Sequence, residues 1–267
     1  MKLHFRWMLF AASLAPLSAQ WLNYPTAGVP KKPDGSPNLQ APAPRTADGH
    51  PDVSGIWDVE HNRPCPVGGC PDQMISQEFM NIGWSLKGGL PFQPWAAAAT
   101  KQRTEQNGKD DPESHCRPRG IVKMHTSPFL RKVVQIPGLV LQLSEADTGY
   151  RQIFTDGRPL PVDPQPTPNG YSVGKWDGDT LVVQSAGFED GLWLDRNGSP
   201  MTDAARITER WRRINFGELD VELTVDDPKA YTKPWTVTLK QFIVLNTEMI
   251  DAFCTDNERS DVHLVGK

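Results

Sequence analysis

The sequence predicts an all-β fold: an antiparallel up-and-down barrel of about ten strands, with an irregular N-terminal region and one short helix in an insertion. Three observations carry this. Residues 170–188 read GYSVGKWDGDTLVVQSAGF, two β-rich runs joined by Asp177-Gly178, the strongest short-range hairpin signal a chain offers. From residue 129 onward such runs recur roughly every 8–12 residues, divided by Pro137-Gly138, Asp156-Gly157, Asp177-Gly178 and Phe216-Gly217. Alternation is clean in places: Val221, Leu223 and Val225 take one face and Glu222 and Thr224 the other, while Val237 and Leu239 oppose Thr236, Thr238 and Lys240.

The chain opens on an export signal. Lys2 and Arg6 make a basic start, residues 7–17 an apolar stretch, and Leu17-Ser18-Ala19 a small-residue cleavage region, so residues 1–19 are expected to be removed. That stretch is shorter than the roughly 20 residues a membrane span needs, and no later segment is apolar enough to span. The expected location is periplasmic or secreted. Loss of Lys2 and Arg6 takes the net charge from −4 to −6. An acidic chain without a basic cluster lacks the cations that replace counterions on nucleic acid, so nucleic acid is not an expected partner.

Residues 20–52 read as a Pro-rich linker, with Pro25, Pro30, Pro33, Pro37, Pro42, Pro44 and Pro51 preventing regular structure. The barrel domain is expected over 53–260, with a first strand at 53–59 and an insertion at 61–128. Pro94 suits the first position of a helix over 94–106, which Gly108 stops. An insertion of this length is expected to act as a lid, a binding loop, or a flap closing one barrel end. Strands then follow at 129–136, 139–145, 149–155, 170–176, 180–187, 205–214, 219–225, 235–244 and 248–254.

In an oxidising compartment Cys65, Cys70, Cys116 and Cys254 are expected to form two disulfides, for which three pairings exist. The short loop between Cys65 and Cys70 closes easily, leaving Cys116 with Cys254. That second bridge would hold the insertion against a barrel end as a fixed wall. A metal site from His61, Cys65 and Cys70 lacks a fourth ligand at standard spacing, so no metal is expected.

Gly55-x-Trp57 in the first strand, its repetition as Gly174-x-Trp176, and the run of short hairpins resemble the calycin architecture of lipocalins and their relatives. The segments APRTADGHPDVSGIW (43–57), RQIFTDGRP (151–159), GKWDGDTLVV (174–183) and DPKAYTKPW (227–235) are similar to a large family of exported bacterial proteins of unknown function. Members of that family usually carry Asp where this chain has Gln184 and His where it has Met201.

Polar residues gather where a barrel mouth would lie: Asp156 and Arg158 in one turn, Asp203 before the strand at 205–214, and Glu209 on that strand. Glu209, Trp211 and Arg213 share a face by period 2, so an inward orientation would pair Glu209 with Arg213 inside the barrel. An ordinary cross-strand salt bridge is the competing expectation. His125, in the insertion, has no partner identifiable from sequence. Gly-x-Gly-x-x-Gly and Walker sequences are absent from the chain, and no cofactor is expected.

Two functions follow as expectations. The first is a barrel that binds a small apolar or aromatic molecule in its interior, with Trp176, Trp193, Trp211 and Arg213 lining the site. The alternative is an extracytoplasmic hydrolase, isomerase or lyase using acid–base chemistry at a mouth built from Asp156, Arg158, Asp203 and Glu209.

Overall fold

The computed structural model describes residues 24–63, 75–146 and 149–254. The expected export signal at 1–19, Cys65 and Cys70, and the segment 255–260 lie outside the described residues.

In chain order the elements are β1 (Gly55–Val59), α1 (Gln77–Met80), α2 (Pro94–Glu105), a 3-10 turn at Pro112–His115, α3 (Gly120–Thr126), β2 (Arg131–Ile136), β3 (Leu139–Ser144), β4 (Tyr150–Phe154), β5 (Tyr171–Asp177), β6 (Thr180–Ala186), β7 (Leu192–Trp193), β8 (Pro200–Met201), β9 (Arg206–Arg213), β10 (Glu218–Asp226) and β11 (Trp235–Ile243). Nine strands close into a barrel in the order β1-β11-β10-β9-β6-β5-β4-β3-β2, and β7 and β8 form a small separate ribbon. The all-β barrel with a short helix in its insertion is therefore the fold. The expected tenth strand at 248–254 is not part of it. Asn246 adopts a left-handed conformation (φ 57°) just after β11, and β1 already occupies the free edge of β11. The segment keeps a single parallel bridge, Ala146 to Ala252.

The strand count has a topological consequence. Neighbours in a closed ring can alternate in direction all the way round only if their number is even. Nine strands force a parallel seam, and it falls between β4 and β5, where only Ile153↔Ser172 and Phe154↔Val173 are in register. Every other neighbouring pair in the barrel is antiparallel. Residues 155–170, with prolines at 159, 161, 164, 166 and 168, run back outside the barrel so that β5 starts from the same end as β4. Proline favours the extended left-handed helix that covers about 3.1 Å per residue, ample for that return.

Period-2 patterning fills the interior as expected. Leu219, Val221, Leu223 and Val225 of β10 and Trp235, Val237 and Leu239 of β11 are buried, and they join Trp57, Leu181, Val183, Ile207 and Trp211 in one apolar core. One barrel end is plugged by α3, all seven residues of which are buried. Arg131 of β2 fastens the plug by donating to the carbonyls of Met124, Ser127 and Phe129 and to Gln241 Oε1 at 2.5 Å. At the other end lies the Pro-rich segment. Gln40 meets Asn215, Leu39 and Ala41 accept from Gly217 and Phe216, and His50 stacks on Trp176 at 4.7 Å.

Cys116 and Cys254 are disulfide-bonded, with Cα atoms 5.4 Å apart. The bridge joins the insertion to the chain beyond β11, as the sequence led us to expect. Among the described residues no helix is long and apolar enough to cross a membrane.

Candidate functional site

The inward positions of four strands build a buried polar network. Arg151 comes from β4, Ser172 from β5, Ser185 from β6 and Glu209 from β9, each at an alternating position that faces the barrel axis. Arg151 forks onto Glu209: Nη1 donates to Oε1 at 3.1 Å and Nη2 to Oε2. Its remaining N–H groups reach Ser172 Oγ (3.0 Å), Ser185 Oγ (2.8 Å) and Gln142 Oε1 (3.5 Å). From the plug, His125 Nε2 lies 2.7 Å from Glu209 Oε1, and Trp211 Nε1 donates to the same oxygen at 3.2 Å. His125 also meets Trp211 edge-on, ring centres 5.4 Å apart.

Burial sets the protonation states. Desolvation alone would raise the Glu209 carboxyl, but the charge on Arg151 and the His125 hydrogen bond outweigh it and hold Glu209 well below the ordinary range. Desolvation lowers His125 despite the bond to Glu209, so its ring is neutral near pH 7. A neutral ring must donate Nε2–H to the carboxylate, which leaves Nδ1 as acceptor for the Gln142 amide, 3.5 Å away. Ionised Glu209, cationic Arg151 and neutral His125 therefore sum to no net charge, and each polar end has a partner.

A cavity of about 570 Å³ opens onto this network at the β4–β5 seam. Its floor is Arg151 and Ser172, and its rim carries Tyr150, Phe154 and Tyr171. One wall is the insertion from Cys116 to Met124, and the other is the stretch before β5, including Pro168 and Asn169. The cleft exists because β4 and β5 pair over two residues only and then diverge. The disulfide at Cys116 stands on its edge. A broader groove of about 890 Å³, lined by Arg158, Lys175, Trp176, Gln184 and Arg210 among others, follows the outer side of β5 and β6. The seam cleft, which reaches the buried Arg151 and Ser172, is the better formed site.

The structure places the expected site residues as follows. Only Glu209 of the four proposed catalytic residues belongs to the network. Asp156 and Arg158 pair with each other at the surface, where Arg158 lies 3.9 Å over Phe154 and donates to the Tyr171 hydroxyl, so this pair borders the cleft rim. Asp203 pairs with Lys229 at 2.5 Å on the surface. The hydrogen bonds from Arg158 and Lys229 hold Asp156 and Asp203 below their ordinary range, and both stay ionised. The carboxylates do not form one mouth site.

The expected pairing of Glu209 with Arg213 is also corrected. Arg213 points to the far end, donating to the carbonyls of Asp52, Ser54, Asn215 and Phe216 and lying 5.0 Å over the Trp57 ring, with burial lowering it to about 10. Two residues along a strand move a side chain some 7 Å, enough to carry it out of reach of Glu209. Of the four expected ligand contacts, Trp211 seals the back of the network and Trp176 is covered by His50. Trp193 is buried in the β7–β8 ribbon between Arg103 (4.6 Å) and Lys123 (5.9 Å). None of these four lines the cleft.

Asp111 is buried against Lys123 (2.8 Å) and Arg196 (3.1 Å), an ion cluster that anchors the insertion, and the described residues contain no metal-holding group of His, Cys, Asp or Glu. Gln184 lies on the exposed side of β6 and Met201 is buried in the core, so neither touches the network. Arg151 had a readable signal: period 2 on β4 puts it inward with Ile153. His125 was noticeable but partnerless until the plug folded over Glu209. No family model, curated protein or solved structure matches the chain. Fold and site define a closed nine-stranded barrel, plugged at one end and cleft at its seam.

Proposed function

We propose that this chain is an exported, calycin-like barrel protein that binds a small apolar or aromatic molecule, periplasmic or secreted, in the cleft at the β4–β5 seam. The cleft itself carries the reading. It has aromatic rim residues, a polar floor already ordered by its own hydrogen bonds, and a volume in the range of small-molecule sites. The barrel axis, where the ligand would sit in an open barrel, is occupied by Trp57, Trp211 and the Arg151–Glu209 pair. Export is supported by the N-terminal sequence and by a disulfide, which persists in oxidising compartments.

A carboxylate acid–base enzyme is less well supported. Asp156 and Asp203 are neutralised in separate surface pairs, and Glu209 is an ionised group with Arg151, His125 and Trp211 donating to it, a poor base.

The test is titration of the oxidised protein with the neutral fluorophore N-phenyl-1-naphthylamine. Saturable binding with a Kd below about 1 mM is expected. Gln152→Trp, a change at an exposed position on the cleft rim, should weaken it by blocking entry. Absence of saturable binding, or binding indifferent to the substitution, overturns the proposal.

A further inference from the structure

Taking the seam cleft as the ligand site, we infer that its ligand is an aromatic molecule carrying a carbonyl, whose oxygen accepts a hydrogen bond from the backbone N–H of Gln152. Which groups face the seam follows from the register of β4 on β3. Thr155 N–H donates to the Gly138 carbonyl at 2.9 Å and Ser144 N–H to the Gly149 carbonyl at 2.8 Å, so the odd-numbered residues of β4 turn their backbone groups to β3. The even-numbered ones, Tyr150, Gln152 and Phe154, turn theirs to the seam. There the Tyr150 carbonyl accepts from Asn169 Nδ2 at 3.0 Å. The two parallel pairs, Ile153↔Ser172 and Phe154↔Val173, engage the Gln152 carbonyl and both backbone groups of Phe154.

The ladder stops one rung short. Its next bond would join Gln152 N–H to the Gly170 carbonyl, but Gly170 is left-handed (φ 59°) and carries its chain away from β4. The Gly170 carbonyl accepts instead from Thr167 Oγ1 at 3.3 Å, and Gln152 N–H has no acceptor among the described residues. Gln152 is exposed and lines the cleft together with Gly170 and Tyr171, so this N–H stands where the two strands part. A backbone N–H can only donate, and the acceptor that a parallel ladder sets opposite it is a carbonyl oxygen about 2.9 Å away. A ligand carbonyl completes the rung. Its aromatic body then lies against Phe154 and Tyr171, which already stack with centres 5.3 Å apart, and against Met124 and Pro168.

Two probes matched in shape test this on the oxidised full chain: 2-acetylnaphthalene and 2-isopropenylnaphthalene, which differ only in a carbonyl oxygen against a methylene. Both are titrated by calorimetry, with backbone amide protons followed by NMR. The ketone should bind about fivefold more tightly, the worth of one hydrogen bond, and should shift the Gln152 amide proton and slow its exchange where the alkene does not. Gln152→Ala, which keeps the N–H, should keep the preference for the ketone. Gln152→Pro, which removes the N–H and leaves the β3 ladder its donors, should abolish it. Equal binding of the two probes to the wild-type protein, or tighter binding of the alkene, overturns the inference while leaving the cleft as ligand site. A Gln152 amide as protected in the free protein as that of Ile153 does the same without any variant. Failure of both probes to bind removes the site reading and this inference with it.

Discussion

Arg151 and Glu209 face each other across the barrel interior from strands three steps apart in the sheet, β4 and β9, and form a two-pronged ion pair with almost no solvent contact. The plug places His125 against the same carboxylate. One residue thus ties the seam, the far wall and the plug together. The arrangement explains how an apolar interior accommodates charge: the pair is matched in geometry, and its spare hydrogen-bonding capacity is met by Ser172, Ser185, Gln142 and Trp211.

Breaking that pair on one side should be severe. Glu209→Gln leaves the Arg151 charge buried without its counter-ion, and a loss of about 3–5 kcal/mol is expected. Arg151→Met combined with Glu209→Gln removes both charges and should recover a large part of that loss. Urea unfolding of the two variants measures it. A single variant within about 0.5 kcal/mol of wild type would mean that the pair is not formed in solution.

Acid should destabilise the fold in two stages, and the sign follows from the direction of both shifts. The folded-state values of His125 and Glu209 are each below their ordinary ones, 6.5 and 4.5. The unfolded chain therefore binds more protons, and stability rises with pH through each group's window. The His125 contribution is complete above pH 6.5 and is lost as pH falls below it. The Glu209 contribution is complete above 4.5 and is lost below that. Denaturation midpoints measured from pH 8 to pH 4 should fall first near 6.5, and His125→Gln should remove that first decline. A decline that persists unchanged in the variant would assign it to another group.

Much of the barrel was legible because a half-buried strand writes itself in period 2. β10 and β11 are the plainest cases, and Pro94 marked α2 to the residue. The seam was not legible. Reading 248–254 as a tenth strand gave an even ring, in which no parallel pair is required, and this concealed the feature that opens the cleft. The plug was missed because α3 has seven residues, no side-chain cap, and burial on every side, so no amphipathic stripe announces it. Glu209 was correctly set on one face with Trp211 and Arg213. Its partner was not, because a contact between β4 and β9 depends on closure of the ring and not on local pattern.

The Cys116–Cys254 bridge should be found by non-reducing peptide mapping, and its removal should loosen one wall of the cleft. It closes a loop of sequence separation 138, for which the chain-entropy model gives about 5 kcal/mol as an upper figure. Beyond β11, Ile250 and Ala252 donate their backbone N–H groups to Glu145, and Glu248 pairs with Lys132 at 2.7 Å. Cys116→Ser with Cys254→Ser is expected to unfold at lower denaturant and to exchange amide hydrogens faster at 112–119 and 246–254. Exchange rates unchanged in those segments would mean that the ion cluster of Asp111, Glu113 and Lys123 alone holds the wall.

Gly170 tests whether the seam must keep its shape for the site to work. Its backbone is left-handed (φ 59°), and a Cβ there would stand 2.8 Å from both the Ala186 carbonyl oxygen and Phe188 Cε1. Phe188 is fully buried and Ala186 is the last residue of β6, so neither gives way easily. Gly170→Ala therefore combines an unfavourable backbone conformation with a contact too close to keep, and a destabilisation of about 1–3 kcal/mol is expected. Relief of that contact shifts the chain at Asn169, whose amide bridges to Tyr150, and the cleft changes with it. Urea unfolding and N-phenyl-1-naphthylamine titration of the variant should show both losses together, weaker binding persisting at temperatures where the variant is fully folded. Full-strength binding in a destabilised variant would separate the turn from the cleft and show that the wall before β5 does not set its shape.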